Sequence, residues 1–499
     1  MPIEQAHTPR RGRTLLVMGG LGLALAATVP AAWAATGSPD RQPPAATAGY
    51  ARFYEQKPVW GACERASATV QCARVTVPVD WAAPQGQTID LAVARSAGGT
   101  GGPLVLNPGG PGLSGVNFLI RGEQELRGDG LAAYDLISWD PRGSGRSAPL
   151  TCPEDATAAM EKADASPDTP AEARAFDAAA ARWARACRAA SGPVFDHVDA
   201  GSTARDLDVL RAVTGAPKLN YLGISYGTMI GGRYAELFPQ RVGRMILDSA
   251  GHFDQTYGSF LSGVAQAKER ALTDYLTGCA DRPECPLTRM TTGEARGWIQ
   301  RLLRGTDRDP LRSGDTTVSQ AQFAAVLARD VSDRNGWERL DAELAELLAG
   351  EASIVAQTAP PTTMDIDNIA TTCQDLPERR TAAQVLRDSR AVARTAPTFG
   401  REITAGSPCV HWPAPVPTPP HKLHAKGVPP ILVVGITRDT AGPYRWSREL
   451  AAQLGNARLL TYDGSGHGAY LLDKCVRDAA NGFLADGTLP AAGAVCRAA

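Results

Sequence analysis

Short, mostly apolar runs separated by longer helical patterns dominate this chain. Val75–Val79 and Ile89–Arg95 read as strands, the second with the alternation of a half-buried strand. Pro103–Leu106, Tyr134–Trp139, Leu219–Leu222, Val242–Leu247, Ile431–Val434 and Ala457–Thr461 have the length and content of interior strands. Between them, helices are predicted over about 171–190, over 203–213, and from Met229 to Phe238, where Pro239 closes the pattern. Strands alternating with helices argue for an α/β fold, a mostly parallel sheet with helices on both faces. Ligands on such sheets sit beyond the carboxyl ends of the strands.

The pattern changes between Gly251 and Lys422, where helical periodicity persists, strand-like runs are few, and prolines cluster near Pro360 and from Pro413 to Pro420. Alternation then resumes at Ile431, so one sheet is interrupted rather than followed. The expected division is a core of residues 50–250 and 423–499, with a mainly helical cap, 251–422, inserted over the strand ends.

Composition narrows the setting. At 499 residues, 43% hydrophobic and 21% charged, the chain can bury a large core, and its formal charge of −1 leaves no basic block for a nucleic-acid partner. Arg10, Arg11 and Arg13 precede an apolar run from Leu15 to about Val29 and then Ala32-Trp33-Ala34, the pattern of a secretory signal peptide over 1–34. The run is too short and too rich in Gly and Ala for a membrane anchor. The Arg10-Arg11 pair leaves the general and twin-arginine export routes both open. Residues 35–49 read as a flexible linker. Export makes disulfides the expected state of the ten cysteines. Sequence proximity suggests Cys63–Cys72, Cys152–Cys187, Cys279–Cys285, Cys373–Cys409 and Cys475–Cys496. No cysteine or histidine cluster has zinc-ligand spacing, and neither metal nor cofactor is expected.

The chemistry centres on Gly223-Ile224-Ser225-Tyr226-Gly227-Thr228. A strand precedes this G-x-S-x-G and a helix follows, the context of a nucleophile elbow, whose sharp turn requires small residues two positions either side of the serine. A serine hydroxyl needs a base, usually a histidine oriented by a carboxylate. Five histidines follow Ser225, and His467 stands out in Asp463-Gly464-Ser465-Gly466-His467-Gly468, a tight loop just past the last core strand. For the acid, Asp439 occupies the loop after the penultimate strand and is favoured over Asp248. Asp463 is too close in sequence to turn the ring and suits a turn cap. The oxyanion of a tetrahedral intermediate needs N–H donors. Tyr226 should supply one, and Asn107-Pro108-Gly109-Gly110-Pro111-Gly112 the other through Gly110, since proline has no N–H.

Asn107–Gly112, Trp139-Asp-Pro-Arg-Gly-Ser-Gly-Arg-Ser147, Gly223–Thr228 and Asp463–His467 together resemble the secreted actinobacterial tripeptidyl aminopeptidase family, α/β-hydrolases related to proline iminopeptidases. The resemblance runs through nearly all of the mature chain, including Cys63, Cys72 and Cys373-Gln374-Asp375. It implies an α/β-hydrolase fold, Ser225, Asp439 and His467 as nucleophile, acid and base, and a peptide substrate with a free amino terminus. Two departures lie near the site: Gly442-Pro443 where many relatives carry Thr-Pro, and Leu247-Asp248-Ser249 where they carry Leu-Asp-Gly. A substrate ammonium calls for a partly desolvated carboxylate, for which Asp375 and Glu378 are candidates. Asp140 and Arg142 read as braces for the surrounding loops. The expected protein is thus an extracellular, monomeric serine exopeptidase acting on peptides. A carboxylesterase using the same triad is the alternative; a catalytically dead binder is disfavoured by the complete set of chemical parts.

Overall fold

A computed structural model describes residues 49–64, 66–359 and 365–498. The leader 1–34 and all of the linker except Gly49 lie outside the described residues. Twelve strands are described: β1 Gly61–Ala62, β2 Val70–Pro78, β3 Thr88–Ser96, β4 Pro103–Asn107, β5 Asp135–Trp139, β6 Leu219–Ile224, β7 Val242–Asp248, β8 Leu311–Ser313, β9 Thr316–Val318, β10 Ile431–Arg438, β11 Ala457–Ser465 and β12 Val495–Arg497. Ten of them form one sheet in the order β1-β2-β3-β5-β4-β6-β7-β10-β11-β12. The pairs from β5 through β4, β6, β7, β10 and β11 to β12 are parallel, and only β1, β2 and β3 run antiparallel. This is the α/β-hydrolase arrangement.

Two apolar layers sandwich the sheet because successive strand residues face opposite sides. Leu104 and Leu106 of β4 join Leu119, Leu222, Ile246, Leu432 and Phe483 on one face. Val105 joins Leu207, Ile230, Leu247, Val433 and Leu450 on the other. Each such side chain contributes about 1.5–3 kcal/mol on burial.

The inserted segment interrupts the sheet without disturbing its order. Met245 of β7 pairs with Ile431 of β10, although the described residues between Asp248 and Ile431 lie outside the main sheet. That segment builds its own core from Leu272, Tyr275, Ile299, Phe323 and Leu340, and carries the β8–β9 hairpin among its helices. The helix Pro170–Ser191, which lies within the 50–250 span, packs Phe176 and Trp183 against Ala370, Ala414 and Trp412 of the inserted segment. Five disulfides join the same pairs that sequence proximity suggests. Among the described residues, no helix is long and apolar enough to cross a membrane.

Candidate active site

Ser225 sits between β6 and the helix Tyr226–Leu237 with φ 56° and ψ −122°, a conformation that L-residues rarely adopt. Its surroundings leave no room for larger neighbours: a Cβ at Gly223 would lie 2.5 Å from the Gly227 oxygen, and one at Gly227 would lie 2.9 Å from the Asn107 oxygen. The strain is held by the β-ladder, in which the Ser225 N–H donates to the Asp248 carbonyl at 2.9 Å.

The loop after β4 approaches the serine closely. A Cβ at Gly109 would stand 2.8 Å from the Ser225 Cβ and 3.0 Å from the Tyr226 nitrogen, so glycine is required there twice over, by contact and by its φ of +92°. The Gly109 N–H is already committed to Asn107 Oδ1 at 3.0 Å. The loop after β5 is braced as expected. Arg142 donates to both oxygens of the fully buried Asp206 and to the carbonyls of Pro78, Val79 and His197. Asp140 accepts from Ser114, Val116 and Arg146.

His467 lies past the end of β11, which runs on through Asp463 to Ser465 rather than turning at Asp463. Its Nδ1 is 2.9 Å from both carboxylate oxygens of Asp439. A carboxylate can only accept, so Nδ1 carries the proton and Nε2 presents its lone pair. Asp439, 2% exposed, is itself fixed: Oδ1 accepts the N–H groups of Ala441 and Gly442, both at 2.8 Å. Burial lowers the His467 pKa, but the charge and hydrogen bond of Asp439, with Asp248 behind, outweigh it and hold the imidazole above its ordinary value.

The other two aspartates face elsewhere. Asp463 accepts from Thr437 and pairs with Arg438. Asp248 receives the Tyr470 N–H at 2.7 Å and the Ser249 hydroxyl at 3.1 Å; burial pushes its carboxyl up to about 6 against those hydrogen bonds. Ser249 holds φ +58°, and its Oγ accepts the Gly468 N–H at 2.9 Å, tying the end of β7 to the histidine loop.

The inserted segment touches the elbow itself. The Tyr226 hydroxyl donates to Asp375 Oδ2 at 2.5 Å, and Asp375 Oδ1 accepts the Ala200 N–H at 3.0 Å. Burial, reinforced by the Asp199 charge, raises the Asp375 carboxyl to about 7. Glu378 accepts from the Arg379 and Arg380 backbone and is gripped by the Arg380 guanidinium at 2.7 Å. Sequence reasoning passed over Lys268, whose Nζ reaches Thr440, the residue after Asp439, at 3.2 Å. A signal existed: Val264, Ala265, Ala271 and Leu272, its neighbours one turn away on the same helix face, are all apolar.

The family described as TAP-like protein matches residues 396–496, the range that holds Asp439 and His467. The chain is 32% identical over 453 residues to a tripeptidyl aminopeptidase of Streptomyces lividans, covering 86% of this chain and 83% of that one. It is 32% identical over 491 residues to the serine protease Hip1 of Mycobacterium tuberculosis, with 90% and 93% covered. Carboxylesterase B of the same species is 31% identical over 467 residues, with 86% and 88% covered.

Proposed function

Because the chain belongs to the tripeptidyl aminopeptidase family of α/β-hydrolases, we propose that it is an exported serine exopeptidase that releases short peptides, tripeptides foremost, from free amino termini. The observation that carries the reading is the alignment of His467 on Asp439, in a loop whose Gly468 abuts Ile224, the residue before a serine held at positive φ on an elbow. His467 Nε2 takes the Ser225 proton as Oγ attacks the scissile carbonyl. The N–H groups of Tyr226 and Gly110 receive the oxyanion; Gly109 is excluded because its N–H already serves Asn107. The imidazolium then protonates the departing amine, and water, activated by the same histidine, hydrolyses the acyl-enzyme.

Of the two acids expected to meet the substrate ammonium, Asp375 keeps the role. Its carboxyl is desolvated and, among the described residues, has no arginine in ion-pair contact, so a cation beside it would be strongly held. Glu378 is saturated by Arg380 and two backbone N–H groups, and braces the turn instead. The disulfides and the expected leader support an extracellular location.

The similarity to a carboxylesterase keeps a second reading in view, since the same triad cleaves esters. Intact-protein mass spectrometry after brief mixing with a free-amine tripeptide ester should find the tripeptidyl mass on Ser225, and none on Ser225→Ala. Faster turnover of simple acyl esters than of tripeptide amides, with no tripeptidyl adduct, would favour the esterase.

A further inference from the structure

Lys268 lies within the long helix Tyr257–Cys279 of the inserted segment, half-buried against the loop that carries Asp439. Its Nζ donates to three neutral oxygens: the Ala328 carbonyl at 3.0 Å, Ser332 Oγ at 2.5 Å and Thr440 Oγ1 at 3.2 Å. Among the described residues no carboxylate stands in ion-pair contact with it. A cavity of about 300 Å³ is lined by Ala267 and Ala271 of the same helix and by two of the lysine's hydrogen-bond partners, Ser332 and Thr440, together with Asp439. A desolvated ammonium with only neutral hydrogen-bond partners is costly, and an apolar side chain would fill the place more cheaply. A desolvated charge set beside a catalytic pair is a candidate for acting on that pair.

We propose that Lys268 is a positioning residue for the Asp439–His467 pair: a cation delivered by the inserted helices that braces the acid loop through Thr440 and opposes the negative field at His467. The inference rests on the triad reading. Among the described residues, the charged groups that act most on the imidazole are Asp439 from the loop after β10, Asp248 from the end of β7, and Lys268 from the inserted helix. The two aspartates favour the imidazolium, which is useless as a base, and the lysine disfavours it. Burial pushes the lysine itself down to about 8, with Asp439 resisting, so it remains mostly charged at neutral pH. The cap therefore completes the electrostatics of the site as well as covering the strand ends.

The test is the pH dependence of covalent labelling of Ser225 by a fluorophosphonate, a reagent that needs the serine and its base but no peptide pocket. Lys268→Gln, which keeps polar reach without charge, and Lys268→Met should both move the midpoint of the rising limb upward by about half to one pH unit. Lys268→Arg should hold it near the wild-type value. Thr440→Val should lower the plateau while leaving the midpoint within about 0.2 unit, because the cation remains. If the folded Gln and Met proteins both keep the wild-type midpoint, the inference is overturned, whatever happens to the plateau. If Ser225→Ala labels as fast as wild type, the triad reading itself fails, a result distinguishable from failure of the lysine alone.

Discussion

Asp439→Asn isolates the contribution of the carboxylate with little change of shape. Two loop N–H groups, from Ala441 and Gly442, point at Oδ1. An asparagine must therefore keep its carbonyl oxygen there and turn its NH2 towards His467. Nδ1 would then have to accept, its proton would move to Nε2, and the imidazole could no longer take the serine proton. The two backbone hydrogen bonds survive, so the fold should hold. The loss of kcat/KM should be about 10⁴-fold, the cost of a histidine held in the wrong tautomer, equivalent to about 5.5 kcal/mol of transition-state stabilisation. Asp248→Asn is the control. Its Oδ2 accepts the Tyr470 N–H and its Oδ1 the Ser249 hydroxyl; an asparagine can keep its oxygen on Tyr470 and turn its NH2 to the Ser249 Oγ, which can accept, so its loss should stay within about 10-fold. The assay is release of a chromogenic amine from a free-amine tripeptide anilide at pH 8, with melting temperature as the folding check. An Asp439→Asn protein within 10-fold of wild type, beside an Asp248→Asn protein reduced 10³-fold, would refute the assignment of the acid.

Three further outcomes are expected. The acid limb of kcat/KM should have its midpoint above the ordinary histidine value of about 6.5, because His467 must be neutral to act and its surroundings favour the proton; a midpoint below 6 in a pH–rate profile would contradict this. Ser249→Ala should destabilise by about 1–3 kcal/mol in denaturant titration by orphaning the Gly468 N–H, while Ser249→Gly, which also relieves about 1 kcal/mol of left-handed strain, should cost less. Asp375 binds its proton more tightly folded than unfolded, so native stability is lost as pH rises from the unfolded value towards about 7. Asp375→Asn should therefore gain melting temperature relative to wild type on going from pH 5 to pH 8, while its KM for free-amine peptides rises.

What the sequence made legible is what short-range chemistry controls. The elbow follows from Gly223, Ser225 and Gly227, because steric exclusion acts within five residues. The histidine and acid loops follow from apolar strands that end just before them, and the disulfides from cysteines close in sequence. Contacts set by the inserted segment were not legible. Tyr226 and Asp375 meet across 149 residues, and Lys268 and Thr440 across 172, with no local pattern to pair them. The helix Pro170–Ser191 reads as an ordinary amphipathic helix, and nothing in its periodicity tells whether Trp183 packs on the sheet or on Trp412. Strand β12 escaped notice because three residues at a sheet edge carry too little pattern. Glu378 looked free to bind an ammonium until Arg380, two residues on, proved to fold back on it.

Specificity for a free amino terminus is the central claim, and one ratio measures it. kcat/KM should be determined for a tripeptide anilide and for its N-acetylated twin, which differ only in the charge that Asp375 is proposed to meet. The free peptide should be cleaved at least about 100-fold faster, the worth of one desolvated charge pair. Equal rates for the two would contradict the exopeptidase account.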